Sequence, residues 1–118
     1  MSKDPAGITA WHAHVYFDSA PTRAAATLLR EQVAAGFPGA RLGSWHDNPV
    51  GPHTAPMYQI LFAPGQLASL LPWLMLNRAG LSILIHPETG DDYTDHAEHA
   101  AWLGTPLALR LDVLRQTH

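Results

Sequence analysis

The stretch that decides the fold is AWHAHVYF, residues 10–17, in which two kinds of side chain alternate without interruption. The alternation divides the stretch into two faces, one formed by Trp11, Ala13, Val15 and Phe17 and the other by His12, His14 and Tyr16. A period of two is typical of a half-buried β-strand. The second face is unusual because it carries imidazoles where charged residues or threonines are the common choice.

Outward from this strand, apolar periodicity and turn residues predict the remaining elements. They are a helix from residue 21 or 22 to 35, strands over 40–46 and 57–62, a helix over 64–77, a strand over 81–85, a short helix over 95–103 and a strand over 107–113. The first six elements follow the β-α-β-β-α-β order of an α+β, ferredoxin-like fold. Its antiparallel sheet has helices on one face only, and the short helix and last strand are additions to it.

Composition limits the class of protein. The 118 residues suit a single domain over residues 1–118, with residues 1–9 as a loose leader. The absence of cysteine excludes disulfides, zinc–thiolate sites and cysteine nucleophiles. A net charge of -3 with only seven Lys plus Arg argues against nucleic-acid or membrane-surface partners. We found no signal-peptide pattern and no membrane span, and therefore expect a cytoplasmic protein.

The predicted topology places two histidines side by side. In a ferredoxin-like sheet the first strand lies between the third and fourth and is antiparallel to both. The start of strand one then lies beside the end of strand four, which brings His12 next to His86. His14 lies about 7 Å along the strand from His12, on the same helix-free face. Two such imidazoles with a third histidine or a carboxylate make a three-ligand site suited to non-haem Fe(II) or catalytic Zn.

A second cluster is also compatible with this topology. The end of strand one would bring Asp18 toward His46 and the loop of His53, so that His14, His46 and His53 form the site. A purely structural interpretation competes with both clusters, since a single histidine on a half-buried strand is more often a hydrogen-bonded structural residue. On that interpretation His53 is a solvated loop residue, and His96 and His99 lie on a solvated face of the short helix.

Three segments together resemble the DOPA 4,5-dioxygenase family of the small type found in bacteria and fungi. They are residues 11–17 (WHAHVYF), residues 50–53 (VGPH), and residues 86–90 (HPETG) followed by Asp95-His96. The resemblance extends over about residues 10–114. It implies extradiol cleavage of the catechol ring of DOPA or a related substrate by O2 and non-haem Fe(II). It also implies a ferredoxin-like fold that often assembles as a homodimer. Independently of the resemblance, Zn or Ni is a possible metal in the purified protein.

The family's motif histidines correspond here to His12, His14, His53, His86 and His96. Because strand ends hold ligands more rigidly than loops do, we predict that His12, His14 and His86 bind the metal. His53 and His96 are then the catalytic acid/base pair or supply a missing ligand.

Other residues are candidates for supporting roles. Glu88 and Asp95 are the acidic residues nearest the metal cluster in sequence, and Arg41 and Arg78 are candidates to bind a substrate carboxylate. Two alternative functions stay open at this level. One is a metal-binding protein or metal enzyme without oxygenase activity, and the other is a non-enzymatic dimer whose histidine face is an interface.

Overall fold

The computed structural model describes residues 2–115; Met1, in the predicted leader, and residues 116–118, which include His118, lie outside the described residues. The strands are β1 (Ala10–Tyr16), β2 (Arg41–Leu42), β3 (Met57–Phe62), β4 (Ile83–Glu88) and β5 (Ala101–Leu103). The helices are α1 (Ala20–Gly36), α2 (Leu67–Asn77) and α3 (Asp92–Ala97). Short 3-10 turns occur at Pro5–Gly7, Pro64–Gln66 and Leu111–Arg115. Within residues 2–115, no helix is long and apolar enough to cross a membrane.

The five strands form one sheet in the order β2-β3-β1-β4-β5, and every neighbouring pair is antiparallel. β1 therefore lies between β3 and β4, as the β-α-β-β-α-β order predicts. The α+β, ferredoxin-like prediction with an antiparallel sheet and a short extra helix is confirmed, and the sheet has a fifth strand, β5, at a different place from the predicted one.

The two faces of β1 separate as the alternation predicts. Ala13, Val15 and Phe17 are buried in the main core with residues of both long helices, among them Leu29, Val33, Leu70 and Leu74. Tyr16 belongs to a smaller apolar cluster on the other face, with Met57 and Leu84. Because opposite residues of an antiparallel pair point to the same side, the helix-free face also carries His12, His14 and His86.

Helix α1 begins after Ser19, which is its N-cap residue. The Ser19 hydroxyl accepts a hydrogen bond from the Thr22 amide, and the Thr22 hydroxyl accepts one from the Ser19 amide, which completes a capping box. The helix starts at Ala20, one or two residues before the predicted start. Its buried residues are Ala26, Leu29 and Val33, at the three- and four-residue spacing of one helical face.

Tyr58 ties the sheet to α1 and supports a stability prediction. Its side chain is fully buried, and its hydroxyl donates to the Ala26 carbonyl at 3.1 Å. We expect Tyr58→Phe to lower the free energy of unfolding by about 1 kcal/mol, the usual net contribution of one such bond. Tyr93→Phe on half-exposed α3 is the matched control and should change stability by less than about 0.5 kcal/mol. Urea unfolding measures both, and an unchanged midpoint for Tyr58→Phe would contradict the assignment.

The C-terminal elements lie earlier in the chain than predicted. The helix predicted over 95–103 is α3, which starts at Asp92 because the Asp91 side chain accepts from the Thr94 amide and caps it there. The last three predicted helical residues instead form β5, which pairs with Ile83–Ile85 of β4.

The strand predicted over residues 107–113 is wrong. Leu109 makes one isolated bridge, to His53, and Leu111–Arg115 is a 3-10 turn. The alternating leucines of this segment have another physical cause. Leu107 and Leu109 pack on the apolar cluster of Tyr16, Met57 and Leu84, so they cover the sheet without joining it.

Two strand lengths also differ from the prediction. The strand predicted over 40–46 is reduced to Arg41–Leu42, and the chain returns to β3 only at the isolated bridge between His46 and Met57. β4 instead extends through His86 and Pro87 to Glu88. Pro87 lies beyond the part of β4 that pairs with β5. Proline is tolerated in a strand at an edge, where its missing N–H interrupts no ladder.

Candidate metal centre and active site

Five histidines meet on the helix-free face of the sheet. β1 supplies His12 and His14, β4 supplies His86, the loop before β3 supplies His53, and α3 supplies His96. His12 is directly opposite His86 in the β1–β4 register, which confirms the predicted juxtaposition. Ring centroids are 4.9 Å apart for His12 and His86, 4.0 Å for His86 and His96, and 4.2 Å for His14 and His53. The fold thus gathers all five motif histidines in one cluster.

Within residues 2–115, the cluster contains two overlapping trios whose nitrogens are close enough to share an ion. One is His12, His14 and His86, the trio predicted to bind metal; the other is His14, His53 and His96. His14 belongs to both. The alternative prediction of His14, His46 and His53 shares two members with the second trio, which His96 completes in place of His46. The backbone of His46 instead bridges Met57.

The central histidines are held in their neutral form. His14, His53 and His86 are exposed by only 3%, 5% and 2%. Burial, followed by the charge of neighbouring histidines, lowers the pKa of His14 well below its ordinary value. The same two causes lower the pKa of His53 to about 4 and that of His86 to about 3. At neutral pH these imidazoles therefore keep a lone pair, which a metal ligand requires.

The contact between His14 and His86 fits a bound metal ion. The His86 Nδ1–H donates to the Pro87 carbonyl at 2.9 Å, which leaves the lone pair on Nε2. That nitrogen lies 3.0 Å from Nε2 of His14. Ligand nitrogens about 2.1 Å from one ion lie about 3.0 Å apart at the 90° angle of an octahedral site and about 3.4 Å apart in a tetrahedral site. Nδ1 of His14 is buried and has no hydrogen-bond partner among the described residues.

Glu88 is the acidic residue that faces this cluster. Its carboxylate lies 3.2 Å from Nε2 of His12, and its side chain is about half exposed. Asp95, the other acidic candidate, is buried and accepts from the Thr89 amide at 2.8 Å and the Thr89 hydroxyl at 2.5 Å. Asp95 therefore anchors the turn after β4, and Glu88 is the carboxylate placed to support His12.

Asp18 and His99 have local partners. The Asp18 carboxylate accepts from the Thr22 hydroxyl at 3.2 Å, beside the cap of α1. Nδ1 of His99 lies 3.5 Å from the Asp95 carboxylate. Both contacts are with the scaffold that surrounds the site.

His96 reaches the cluster from α3. Its Nδ1–H donates to the carbonyl of Asp92, four residues earlier, at 2.7 Å. Since a carbonyl can only accept, the neutral form of His96 carries its lone pair on Nε2. His96 is thus an acceptor beside His86.

The loop that carries His53 is secured by the C-terminal segment. The His53 amide donates to the Val50 carbonyl at 3.0 Å, closing a turn in which Gly51 has a φ of 56°. The Arg110 amide donates to the Pro52 carbonyl at 2.7 Å, and the Thr54 hydroxyl donates to the Ala108 carbonyl at 2.7 Å. Sequence reasoning missed this role because residues 107–113 resembled a strand.

Tyr16 was also missed as a site residue. Its hydroxyl lies 2.7 Å from Nδ1 of His53, and both side chains are buried. The signal was present, because Tyr16 follows His12 and His14 on the same alternating face.

The two candidate arginines have different positions. Arg41 lies opposite Leu61, which lies opposite His12, so Arg41 shares the face and the transverse row of His12 and His86. Arg78 lies after α2 and donates to the Leu81 carbonyl at 3.0 Å. Of the two, only Arg41 is in register with the histidine cluster.

The comparisons with known proteins identify relatives over almost the whole chain. The profile of the Dopa 4,5-dioxygenase family matches residues 11–113. A DOPA 4,5-dioxygenase of Amanita muscaria is 35% identical over 111 residues, which cover 88% of this chain and 49% of that protein. An uncharacterized 21.2 kDa protein of Botryotinia fuckeliana is 35% identical over 96 residues, 75% of this chain and 52% of that one. The chain thus spans about half the length of these curated relatives.

A solved structure agrees with the fold described above. It is the crystal structure of a candidate dioxygenase from Nostoc punctiforme PCC 73102, which is 51% identical to this chain. The match covers 98% of both chains with a TM-score of 0.94. The family profile and this structure both include the strands, loop and helix that carry the five histidines. The chain belongs to the Dopa 4,5-dioxygenase family.

Proposed function

We propose that this chain is an extradiol dioxygenase that opens the ring of a catechol, DOPA or a related compound, with non-haem Fe(II) and O2. The observation that carries the proposal is the buried pair of His14 and His86, whose Nε2 atoms lie 3.0 Å apart. Membership of the Dopa 4,5-dioxygenase family supports the reaction class.

We assign His12, His14 and His86 as the metal ligands, with Glu88 as the carboxylate beside them. Three or four protein ligands leave positions for other groups, as in non-haem iron oxygenases. A bound Fe(II) would supply Lewis acidity toward a catechol and the redox chemistry that O2 requires.

His96 and His53, beside the metal trio, would act as the acid/base pair. The Nε2 lone pair of His96 would accept a catechol hydroxyl proton. The acid/base pair of His96 and His53, whose ring centroids are 6.1 Å apart, would return that same proton as the ring opens. In the overall reaction both atoms of O2 enter the product and one ring C–C bond next to the diol breaks. The product is a ring-opened semialdehyde, and no external reductant is needed.

Arg41 is the candidate contact for a carboxylate on the substrate. It lies two strands from His12 in the same row, or about 10 Å at the usual strand spacing. A guanidinium on the helix-free face would favour an anionic catechol over an unsubstituted one.

The proposed function is tested by loading metal-free protein with Fe(II) without air and then adding a catechol and O2. We expect equal amounts of O2 consumed and yellow ring-opened product formed, with a mass 32 units above the catechol from the two added oxygen atoms. The same protein loaded with Zn(II) is the control and should consume no O2. Iron-loaded protein that consumes no O2 with any of several catechols would contradict the proposal and favour a metal-binding protein without oxygenase activity.

A further inference from the structure

The contact between Tyr16 and His53 determines how the histidine can act. The Tyr16 oxygen lies 2.7 Å from Nδ1 of His53. Tyr16 is 3% exposed and His53 is 5% exposed, so their contact is shielded from bulk water. Nε2 of His53, by contrast, is not among the buried atoms of the described residues that lack a partner. A tyrosine hydroxyl is protonated at neutral pH, so Tyr16 has a proton to donate.

Hydrogen-bond accounting gives the direction of this bond. Within residues 2–115, Nδ1 of His53 is the one acceptor within reach of the Tyr16 hydroxyl. If Nδ1–H of His53 donated to Tyr16, the Tyr16 proton would be buried without an acceptor, which is costly. Tyr16 therefore donates to Nδ1. A neutral imidazole that accepts at Nδ1 carries its proton on Nε2.

Both partners are held in place from outside the contact. The Tyr16 ring stacks on Trp102 of β5, with centroids 5.7 Å apart and an interplanar angle of 27°. The backbone of His53 bridges Leu109, and its ring packs on that of His14 at 4.2 Å. The hydrogen bond thus joins a ring packed on the sheet to a ring on an anchored loop.

We propose that Tyr16 is a positioning residue that holds His53 as the Nε2–H tautomer, so that His53 presents an N–H donor to the bound substrate. An imidazole in this state has no lone pair for a metal ion, which favours His12, His14 and His86 as the metal ligands. The substrate part of this inference rests on the proposed function, whereas the tautomer does not.

The tautomer is tested without turnover, by long-range ¹H–¹⁵N NMR of metal-free protein labelled with ¹⁵N-histidine at pH 7.5. We expect His53 to show a protonated Nε2 and a non-protonated, hydrogen-bonded Nδ1. In Tyr16→Phe the Nδ1 resonance should move to the position of a nitrogen without a donor. A protonated Nδ1 in the wild-type protein would overturn the inference, whether or not Tyr16→Phe folds.

The kinetic arm uses Tyr58→Phe as the matched control, because it removes the hydroxyl of another buried tyrosine, which lies in the main core and donates to the Ala26 carbonyl of α1. We expect Tyr16→Phe to lower kcat by about 10- to 100-fold, the usual effect of losing a residue that orients a catalytic group. KM and Fe(II) affinity should change by less than about 3-fold, and Tyr58→Phe should retain wild-type kcat and His53 resonances. Loss of iron from Tyr16→Phe in proportion to its lost activity would contradict the positioning role. If wild-type protein binds iron but consumes no O2, the proposed function fails while the NMR result still decides the tautomer.

Discussion

Fe(II) affinity is expected to fall more than about 100-fold when His14 is replaced with glutamine. Loss of a residue that hydrogen-bonds to a metal ligand costs about 10- to 100-fold in affinity, and loss of the ligand itself should cost more. His14 is the member common to both histidine trios, so neither trio survives its replacement. Catechol turnover should fall below detection in the same variant. A 100-fold change corresponds to about 2.7 kcal/mol of binding free energy.

Iron content after anaerobic dialysis, together with O2 uptake, measures this effect. His99→Gln is the matched control, because His99 belongs to neither trio and contacts Asp95 outside the cluster. His99→Gln should bind iron within about 3-fold of wild type. A His14→Gln protein that keeps both its iron and its turnover would contradict the role of the histidine cluster in metal binding and catalysis.

The same measurement distinguishes the two trios. If His12, His14 and His86 hold the metal, His12→Gln should lose iron as His14→Gln does. His53→Gln should keep iron and lose turnover by about 10²- to 10⁴-fold, as expected for an acid/base group. The reverse pattern, with iron lost from His53→Gln and kept by His12→Gln, would assign the metal to His14, His53 and His96.

The metal-free protein is expected to lose about 4–6 kcal/mol of stability between pH 7 and pH 5. Burial holds the pKa of His53 at about 4 and that of His86 at about 3, and it holds the pKa of His14 well below its ordinary value. In the unfolded chain each histidine titrates near 6.5. Between these values the unfolded state binds more protons than the folded state, so stability rises with pH and is lost as the pH falls below about 6.5.

Each of these histidines contributes up to about 1.4 kcal/mol per pH unit within that window. The combined loss is large beside the 5–15 kcal/mol that stabilises a typical domain. Urea unfolding at half-unit intervals from pH 8 to pH 5 measures it. His14→Gln should lower the slope of unfolding free energy against pH near pH 5 by about 1.4 kcal/mol per pH unit, because one titrating group is removed. Stability that is constant or rises from pH 7 to pH 5 would contradict the buried, neutral state of the cluster.

The prediction succeeded where local pattern and topology were sufficient. The alternation in residues 10–17 placed His12 and His14 on the helix-free face, and the antiparallel order placed His86 opposite His12. The family resemblance, borne out by the profile match, then indicated His53 and His96. Prediction failed at residues 107–113, because leucines that alternate to cover a sheet have the same pattern as leucines within a strand.

Strand period, turn residues and the order of elements are local properties, and so the ferredoxin-like plan and the helix-free histidine face follow from the amino-acid sequence alone. Three features of the site depend on tertiary structure. The His12–Glu88 contact and the Tyr16–His53 hydrogen bond join side chains that are 76 and 37 residues apart. The second trio takes its histidines from β1, the loop before β3 and α3. Their placement results from how α3 and the C-terminal segment pack on the sheet, since burial and hydrogen bonding of these groups are defined only by neighbours in space. For that reason the sequence identified the candidate histidines, and the packed structure assigned which nitrogen of His53, His86 and His96 carries its proton.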